Sequence, residues 1–315
     1  MASFGYTLRK HWRKKRDDIR QARYTREHDV LFKRKGLTRV LFILMFVILI
    51  IFTISFLFPF AWILMNAFKP TSEFGLNMMG WPKNFTFDNF INAFTFKDST
   101  TQNKTILEML MMTVLIAGVG TLVTVFTSTA AAYVVAKYKF FGRNVIFAVV
   151  IFSLIVPIVG SLPSQMQMMK NVLHLDGTVI GCIFIYSGGF GANFLLLYSF
   201  FKNLSWTYVE AAKVDGANDF VIFFRIIIPM AKGPIIAISI IQLIGLWNDY
   251  QTPAIYLPKY PTLAVGLQFL FQKMEMLSYP MMFATIVIAI LPILILFAAF
   301  SKTIMENTSV GGLKG

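Results

Sequence analysis

The sequence is poor in charged residues, cysteine and histidine. Charged side chains make up 14% of its 315 residues, whereas soluble globular domains carry about 25%. Its one cysteine, Cys182, lies in an apolar run, which excludes intrachain disulfides and cysteine-based metal clusters. The three histidines, at positions 11, 28 and 174, do not have the spacing of metal ligands. We therefore predict no metal site, and the 57% share of hydrophobic residues indicates an integral membrane protein.

Motifs for nucleotide binding and for catalysis are also missing. The pattern G-x-x-x-x-G-K-[ST], which cradles phosphates, does not occur in the chain, and neither does H-E-x-x-H. No set of a nucleophile with its base, as a membrane enzyme requires, can be recognised. We expect the chain to have no catalytic centre of its own.

Long uncharged runs dominate the rest of the chain. A bilayer span needs about 20 apolar residues with few or no charges. Stretches without Asp, Glu, Lys or Arg cover 40–68, 109–136, 144–169, 177–201 and 276–301, and a shorter one covers 233–248. The first run is much longer than the apolar core of a signal peptide, which has about 7–15 residues. We predict an all-α integral membrane protein with six transmembrane helices.

The second run also carries small residues at every fourth position. Such a stripe lies on one helix face and lets another helix approach closely. The residues are Gly120, Thr124, Ser128 and Ala132.

Basic residues are distributed unequally between the connecting segments. If the first run crosses from inside to outside, the inner segments 1–39, 137–143, 202–232 and 302–315 hold 22 of the 29 Lys and Arg residues. Cytoplasmic segments carry such an excess. We therefore expect a multi-pass membrane protein with both termini in the cytoplasm. Its parts are a basic N-terminal segment 1–39, a transmembrane domain 40–301 and a C-terminal tail 302–315.

Two interpretations of the N-terminal segment remain open. It contains thirteen basic and four acidic residues. These residues suit an anchor on the inner side of the membrane, where anionic headgroups attract Lys and Arg. The alternative is an amphipathic helix on the membrane or on a partner, which the few apolar positions disfavour.

A polar unit interrupts the apolar sequence within the inner segment 202–232. Thr207 and Glu210 have the spacing of a capping box, which predicts a helix that starts at Tyr208. Gly216 is suited to end this helix in a left-handed conformation. The pattern predicts a short polar helix with a small-residue surface; a surface loop with an accidental helical pattern is the alternative.

A second, apolar helix is predicted directly after the glycine. Asn218 or Asp219 can cap it, and Pro229 closes it. Its large apolar residues recur at helical spacing and suit packing against transmembrane helices. They are Phe220, Phe223, Phe224 and Ile227.

This unit resembles the EAA signature of ATP-binding-cassette (ABC) importer permeases. The matching residues are Glu210, Ala211, Ala212, Gly216, Ile226 and Pro229. Ile228 stands where the family has leucine, which is a conservative departure. The stretch "GLWNDYQTPAIYL" and the closing "GGLKG" are similar to the carbohydrate-uptake branch, the MalG-like permeases. The resemblance covers roughly residues 38–315.

The resemblance implies a multi-pass protein of the bacterial cell membrane with a type I ABC importer permease fold. It also implies a division of labour among subunits. The loop 205–229 would be a coupling helix that docks on a separate cytoplasmic ATPase, which binds ATP and magnesium. The expected partners are a second homologous permease, two ATP-binding subunits, an extracytoplasmic solute-binding protein and membrane lipid, and no nucleic acid. The implied contacts with the ATPase are Glu210, Ala211, Ala212, Asp215 and Gly216, with Gly311, Gly312 and Lys314 of the tail as a second set. The counterpart of the outer segment 59–106 faces the solute-binding protein in this family.

Polar residues at membrane depth are candidates for the substrate path, because burying them in lipid is costly. Aromatic rings and amides suit a sugar, since rings stack on its C–H surface and amides bond its hydroxyls. Hydrogen bonds between helices use the same residue types, so either role is open. The candidates are Tyr186, Asn193, Gln242, Trp247 and Asn248, and Gln165, Gln167 and Asp249 are further polar positions.

We thus interpret the chain as the permease subunit of an ATP-driven importer of a sugar or oligosaccharide. Permeases of the same branch also carry polyols and sugar phosphates, so another polar solute is an alternative. An ion-coupled secondary transporter is less well supported, because such a protein needs a carboxylate deep in a span and Asp249 lies at the end of one.

Overall fold

The computed structural model describes residues 36–155, 161–272 and 278–308. Every regular element among these residues is helical, which confirms the predicted all-α class. The helices are α1 (Leu37–Ala67), α2 (Thr71–Leu76), α3 (Asp88–Thr95), α4 (Ile106–Lys137), α5 (Arg143–Ile155), α6 (Ser161–Gln167), α7 (Val179–Tyr186), α8 (Ala192–Asn203), α9 (Thr207–Val214), α10 (Asp219–Met230), α11 (Lys232–Asn248), α12 (Gln251–Tyr256), α13 (Leu263–Gln272) and α14 (Tyr279–Thr308).

The chain forms two compact units, residues 1–62 and residues 63–315. The described part of the first unit is the beginning of α1, whose side chains from Val40 to Phe58 are apolar and exposed, apart from a few small or polar ones. An exposed apolar surface of this kind suits lipid rather than water. Most of the predicted basic N-terminal segment, residues 1–35, lies outside the described residues.

Helix α4 is the central helix of the second unit. It packs against α7, α8, α11 and α13. The predicted stripe of small residues is buried along its length, as Gly120, Thr124, Ser128 and Ala132 all lie in the interior. A Cβ atom at Gly120 would lie 2.9 Å from Cδ1 of Leu246, so this glycine allows the close approach that the pattern predicts.

Three described helices are long and apolar enough to cross a membrane by themselves. They cover Arg39–Ala67, Ser99–Lys137 (a short 3₁₀ turn followed by α4) and Tyr279–Ser301. Helices α10 and α11 together form a fourth candidate, bent by 77° between Met230 and Lys232. The three single helices agree with the predicted runs 40–68, 109–136 and 276–301. The fourth candidate contains the predicted run 233–248 in α11, but it also includes α10, which the prediction placed in the inner segment 202–232.

The two remaining predicted runs contain shorter described helices. The run 177–201 consists of α7 and α8 with a break between them, which contains Gly188, Gly189 and Gly191. A Cβ atom at Gly189 would lie 3.1 Å from the backbone oxygen of Thr127, so the chain passes close to α4 at this break. In the run 144–169, α5 ends at Ile155 and α6 begins at Ser161.

Candidate functional site

The polar helix α9 begins one residue earlier than predicted, and the predicted capping box is wrong. Thr207 is the first helical residue rather than the cap, and its side chain caps no helical N–H group. The Ser205 hydroxyl accepts a hydrogen bond from the backbone N–H of Thr207 (3.3 Å) and donates one to the Thr207 hydroxyl (2.9 Å). A serine two residues before the helix therefore forms the local turn that the capping-box pattern assigned to Thr207.

The two faces of α9 have opposite surroundings. Val209 and Ala212 are buried in the core of this chain, whereas Glu210 and Ala211 are exposed. Of the two signature alanines, only Ala211 is available to a partner, and Ala212 instead allows α9 to pack closely on its own bundle. The buried face therefore fixes α9 to the helix bundle and leaves its other face accessible.

The glycine after α9 has the conformation that the sequence predicts. Gly216 has φ +81°, in the left-handed region. The N–H of Ala217 bonds to the Ala212 oxygen (2.9 Å) and the N–H of Gly216 bonds to the Lys213 oxygen (3.0 Å). This pair of bonds is a Schellman motif, which satisfies carbonyl groups at a helix end. Asp215 and Gly216 are both exposed at this turn.

Helix α10 starts at the predicted cap and continues one residue beyond the predicted end. The Asn218 side chain accepts a hydrogen bond from the N–H of Val221 (2.8 Å). Phe223 and Ile227 are buried, and the half-exposed Phe224 stacks on Phe126 of α4, whereas Phe220 is largely exposed. The helix has a π turn over Phe223–Ile227. This wider turn precedes Pro229, which lacks an N–H group, and the helix ends at Met230.

The C-terminal end of α4 holds this unit in place. The Lys137 ammonium donates a hydrogen bond to the Leu204 backbone oxygen in the turn before α9. The Tyr138 hydroxyl donates one to Oδ1 of Asp219 at the start of α10 (2.9 Å). Burial raises the pKa of Tyr138, and the neighbouring Tyr133 and Asp219 raise it further, so the hydroxyl keeps the proton that it donates.

The polar residues predicted for a substrate path form pairs within the chain. The Tyr186 hydroxyl donates to Oδ2 of Asp249 (2.8 Å), and the Asn193 amide donates to Oε1 of Gln242 (2.8 Å). Both pairs join α7 or α8 to α11 or its C-terminal end. Asp249, which the sequence placed at the end of a span, is half-buried and belongs to the first pair. We call Tyr186, Asn193, Gln242 and Asp249 the polar group.

The other polar candidates bond to neighbouring helices or to their own helix. The Trp247 indole is buried and donates to the Ala289 backbone oxygen of α14 (3.3 Å). The Asn248 amide is exposed and donates to the Ile244 oxygen one turn earlier (2.8 Å). The structure therefore brings Tyr186 and Trp247 into one apolar cluster and leaves Asn248 outside it. Gln165 accepts a bond from the Tyr256 hydroxyl (3.3 Å).

Polar groups hold the segment after α1, which the sequence predicts to be an outer segment. Lys69 is fully buried, and its ammonium donates to the Asn77 oxygen (2.7 Å). The Glu73 carboxylate accepts from the backbone N–H groups of Lys83 (2.6 Å) and Asn84 (2.9 Å). These bonds hold the pKa of Glu73 below its ordinary value, so the carboxylate stays charged at neutral pH.

Large side chains on this outer segment face outward. Trp81 is 82% exposed, and Phe85 and Phe87 are also exposed. Such a cluster of exposed aromatic residues is typical of an interaction surface. The tail residues Gly311, Gly312 and Lys314 lie outside the described residues.

The class of protein follows from the fold and from the family match, which agree on a membrane-transport subunit of the ABC importer type. The fold is similar to that of a solved bacterial ABC transporter involved in the import of the acidic polysaccharide alginate. It superimposes with a TM-score of 0.71 at 22% identity, over 85% of this chain and 98% of that chain. At this identity the similarity establishes the fold alone.

The chain belongs to the family of binding-protein-dependent transport system inner membrane components, which it matches over residues 124–304. It is thus a multi-pass protein of the cell membrane and the permease component of a binding-protein-dependent importer. It is 32% identical to the arabinooligosaccharides transport system permease protein of Bacillus subtilis over 268 residues (84% of this chain, 92% of the relative). It is 28% identical to the diacetylchitobiose uptake system permease protein of Streptomyces coelicolor over 269 residues (84% and 86%). A sulfoquinovosyl glycerol transport system permease protein of Agrobacterium fabrum is 26% identical over 276 residues (86% and 94%).

Proposed function

We propose that this chain is the membrane permease of an ATP-driven importer of a sugar or oligosaccharide, and that α9 is its coupling helix. The observation that carries the proposal is the orientation of α9. Glu210, Ala211 and Gly216 are exposed, while Val209 and Ala212 fix the opposite face to the bundle. The transport of oligosaccharides by similar permeases supports the substrate class.

The energy for transport comes from a separate ATPase in this proposal. Helix α9 docks into a cleft of that subunit, which binds ATP and magnesium, and this chain has no catalytic site of its own. Glu210 and Asp215 provide the charged contacts, and Ala211 lets the two surfaces approach closely. The tail residues Gly311, Gly312 and Lys314 form a second contact with the ATPase.

The subunit organisation follows from the same division of labour. The chain crosses the membrane six times, with both termini in the cytoplasm, where most of its basic residues lie. It pairs with a homologous permease, and each of the two permeases contacts one ATPase. A solute-binding protein docks on the outer segment 59–106, where the exposed Trp81, Phe85 and Phe87 offer an aromatic surface.

The substrate path runs beside the polar group between α7, α8 and α11. Tyr186, Asn193 and Gln242 are the side chains best suited to touch a sugar, because they combine a ring with amides near one apolar cluster. Trp247 and Asn248 are the remaining candidates. Another polar solute is the second candidate substrate, favoured by the similarity to the sulfoquinovosyl glycerol permease.

The first experiment is purification of the tagged chain from its host in a mild detergent, followed by mass spectrometry. We expect a homologous permease and an ATPase with a Walker motif to be recovered with it. Sugars and oligosaccharides are then screened for stimulation of ATP hydrolysis by the complex with its solute-binding protein. Recovery of the chain alone, in several detergents and with ATP present, would contradict the proposal.

Replacement of Glu210 by lysine tests the role of α9. Reversing the charge on the exposed face should abolish ATPase recovery and uptake, because like charges across a docked surface repel. Asp176→Lys is the matched control, since Asp176 is an exposed acidic residue on the opposite side of the predicted topology. Normal uptake by Glu210→Lys, at equal amounts in the membrane, would rule out the coupling role of α9.

A further inference from the structure

The end of α4 contacts the coupling unit on both sides of α9. On the first side, the Lys137 ammonium bonds to the Leu204 oxygen and lies 5.9 Å from the centroid of the Trp206 ring. Both residues belong to the turn between α8 and α9. A cation near the face of an indole ring is attracted to it, so this turn is tied to α4 by two interactions.

On the second side, Tyr138 reaches the start of α10. Its hydroxyl donates to Oδ1 of Asp219 at 2.9 Å, and the Lys213 ammonium lies 3.2 Å from the same oxygen. Lys213 is in the last turn of α9, so the carboxylate of Asp219 joins α4, α9 and α10. We call Lys137, Tyr138, Trp206 and Asp219 the α4 clasp.

Aromatic packing extends these contacts one turn further along α4. The Tyr138 ring meets Trp206 edge to face, with centroids 5.9 Å apart. Tyr133 lies 5.7 Å from Phe201 of α8 and 5.4 Å from Phe223 of α10. Movement of α9 therefore has to move the end of α4 or break several contacts at once.

Helix α4 continues without interruption from the clasp to the polar group. The Thr124 hydroxyl donates to the Tyr186 backbone oxygen at 2.6 Å, and the Tyr186 side chain bonds to Asp249. At 1.5 Å per residue, Thr124 lies about 20 Å along the helix from Tyr138. One rigid element thus contacts both the coupling unit and the candidate substrate path.

We propose that Tyr138 is a positioning residue whose hydrogen bond to Asp219 makes α4 follow the movement of α9 and carry it to Tyr186 and Asp249. The inference rests on the proposed function and deepens it, because it names the helix through which the coupling site acts. Tyr138 touches neither the ATPase nor the substrate in this arrangement. It fixes the position of α4 relative to α10.

The Tyr138 hydroxyl and the ion pair between Lys213 and Asp219 contribute little to folding, which makes a test of the clasp possible. The side chains of Lys213 and Asp219 are 47% and 58% exposed, and exposed ion pairs add little to stability. Loss of the Tyr138 hydroxyl leaves its ring packed on Trp206. A Tyr138→Phe protein should therefore assemble normally and reveal a defect in coupling alone.

The experiment measures substrate transported per ATP hydrolysed, by the complete transporter in proteoliposomes with its solute-binding protein and the sugar that stimulates ATP hydrolysis most. Tyr138→Phe should lower this ratio about fivefold, the factor that corresponds to one exposed charge-assisted hydrogen bond of about 1 kcal/mol. Asp219→Ala also removes the ion pair with Lys213, so it should lower the ratio at least as much. Adding Tyr138→Phe to Asp219→Ala should lower it no further, because the bond is already lost. Asp219→Asn keeps the accepting oxygen and should restore a ratio close to that of the wild type.

The outcomes separate the clasp from the proposed function. If wild-type complexes show no ATP-dependent transport, the proposed function is wrong and the clasp with it. If the wild type transports and both Tyr138→Phe and Asp219→Ala keep its ratio, only the clasp is wrong. Equal losses in Asp219→Asn and Asp219→Ala, or additive losses in the double variant, would also overturn it, since they indicate a charge effect or independent roles.

Discussion

Gly216 illustrates how a single residue determines the shape of the coupling unit. Its φ of +81° lies where residues with a Cβ atom are strained. A Cβ atom added there would meet no atom within 4 Å. The backbone conformation, rather than a lack of space, therefore selects glycine at this turn.

Two substitutions of Gly216 separate conformation from size. Asparagine tolerates the left-handed region, so Gly216→Asn should retain most uptake. Gly216→Val places a β-branched residue in that region at a cost of about 1–2 kcal/mol, and it should shift the Asp215 turn and lower ATPase recovery. Pull-down of the ATPase and uptake assays measure both effects. Equal recovery with both variants would contradict this explanation.

Local patterns at residue scale predicted part of this site. The positions of Gly216 and Asn218 follow from their intrinsic preferences, and the structure confirms both. The start of α9 was predicted wrongly, because Ser205 and Thr207 offer alternative local bonds and the sequence does not rank them. The bond from Tyr138 to Asp219 joins residues 81 positions apart, which no local pattern reports.

At the scale of elements, α4 depends on the small residues of one face. Gly120 faces Leu246 and Tyr186, whose atoms would lie 2.9 and 3.3 Å from an added Cβ. Gly118 lies on the same helix only two residues earlier, yet it has no atom within 4 Å of such a Cβ. The two glycines therefore differ in packing while sharing the same helical backbone.

Leucine substitutions at these two positions should have unequal effects. Gly120→Leu overpacks the contact between α4 and α11 at a cost of about 1–3 kcal/mol, and it should lower the melting temperature of the purified protein in detergent. Gly118→Leu extends into open space and changes helix propensity in the favourable direction, so its melting temperature should stay close to that of the wild type. A similar loss in both variants would show that the small-residue face does not control this packing.

Elements were predicted well where apolar runs form single helices and poorly where backbone breaks divide them. The small-residue stripe of α4 was recognised from its four-residue spacing and is buried as predicted. The separation of α7 from α8 was missed, because an apolar run shows that a segment can lie in a membrane but not that it forms one continuous helix. Helix α13, Leu263–Gln272, was missed too, since ten residues are too few for a span and its buried partners are distant in sequence.

For the whole molecule, the distribution of charge predicts which surface faces the cytoplasm. The inner segments contain most of the Lys and Arg residues. The one cysteine, Cys182, is fully buried. The wild-type chain should therefore not react with thiol reagents, so any labelling of a variant reports its introduced cysteine.

Single cysteines at two exposed lysines test the orientation. Lys97→Cys should react with a membrane-impermeant maleimide added to cells with a permeable outer envelope, because residue 97 lies in a predicted outer segment. Lys139→Cys should react only after the inner membrane is opened, because residue 139 lies in a predicted inner segment. Labelling in the reverse order would contradict cytoplasmic termini, and labelling of the wild type would show that Cys182 is accessible.

The 77° bend between α10 and α11 gives the two helices the shape of a bent lever with two arms. At 1.5 Å per residue, α10 is about 18 Å long and α11 about 25 Å, so the ratio of their lengths is about 1.4. If the two helices turn as one rigid body about Ala231, a sideways shift of a few ångströms at Asp219 becomes a larger displacement at Asp249, where the chain holds its half-buried carboxylate.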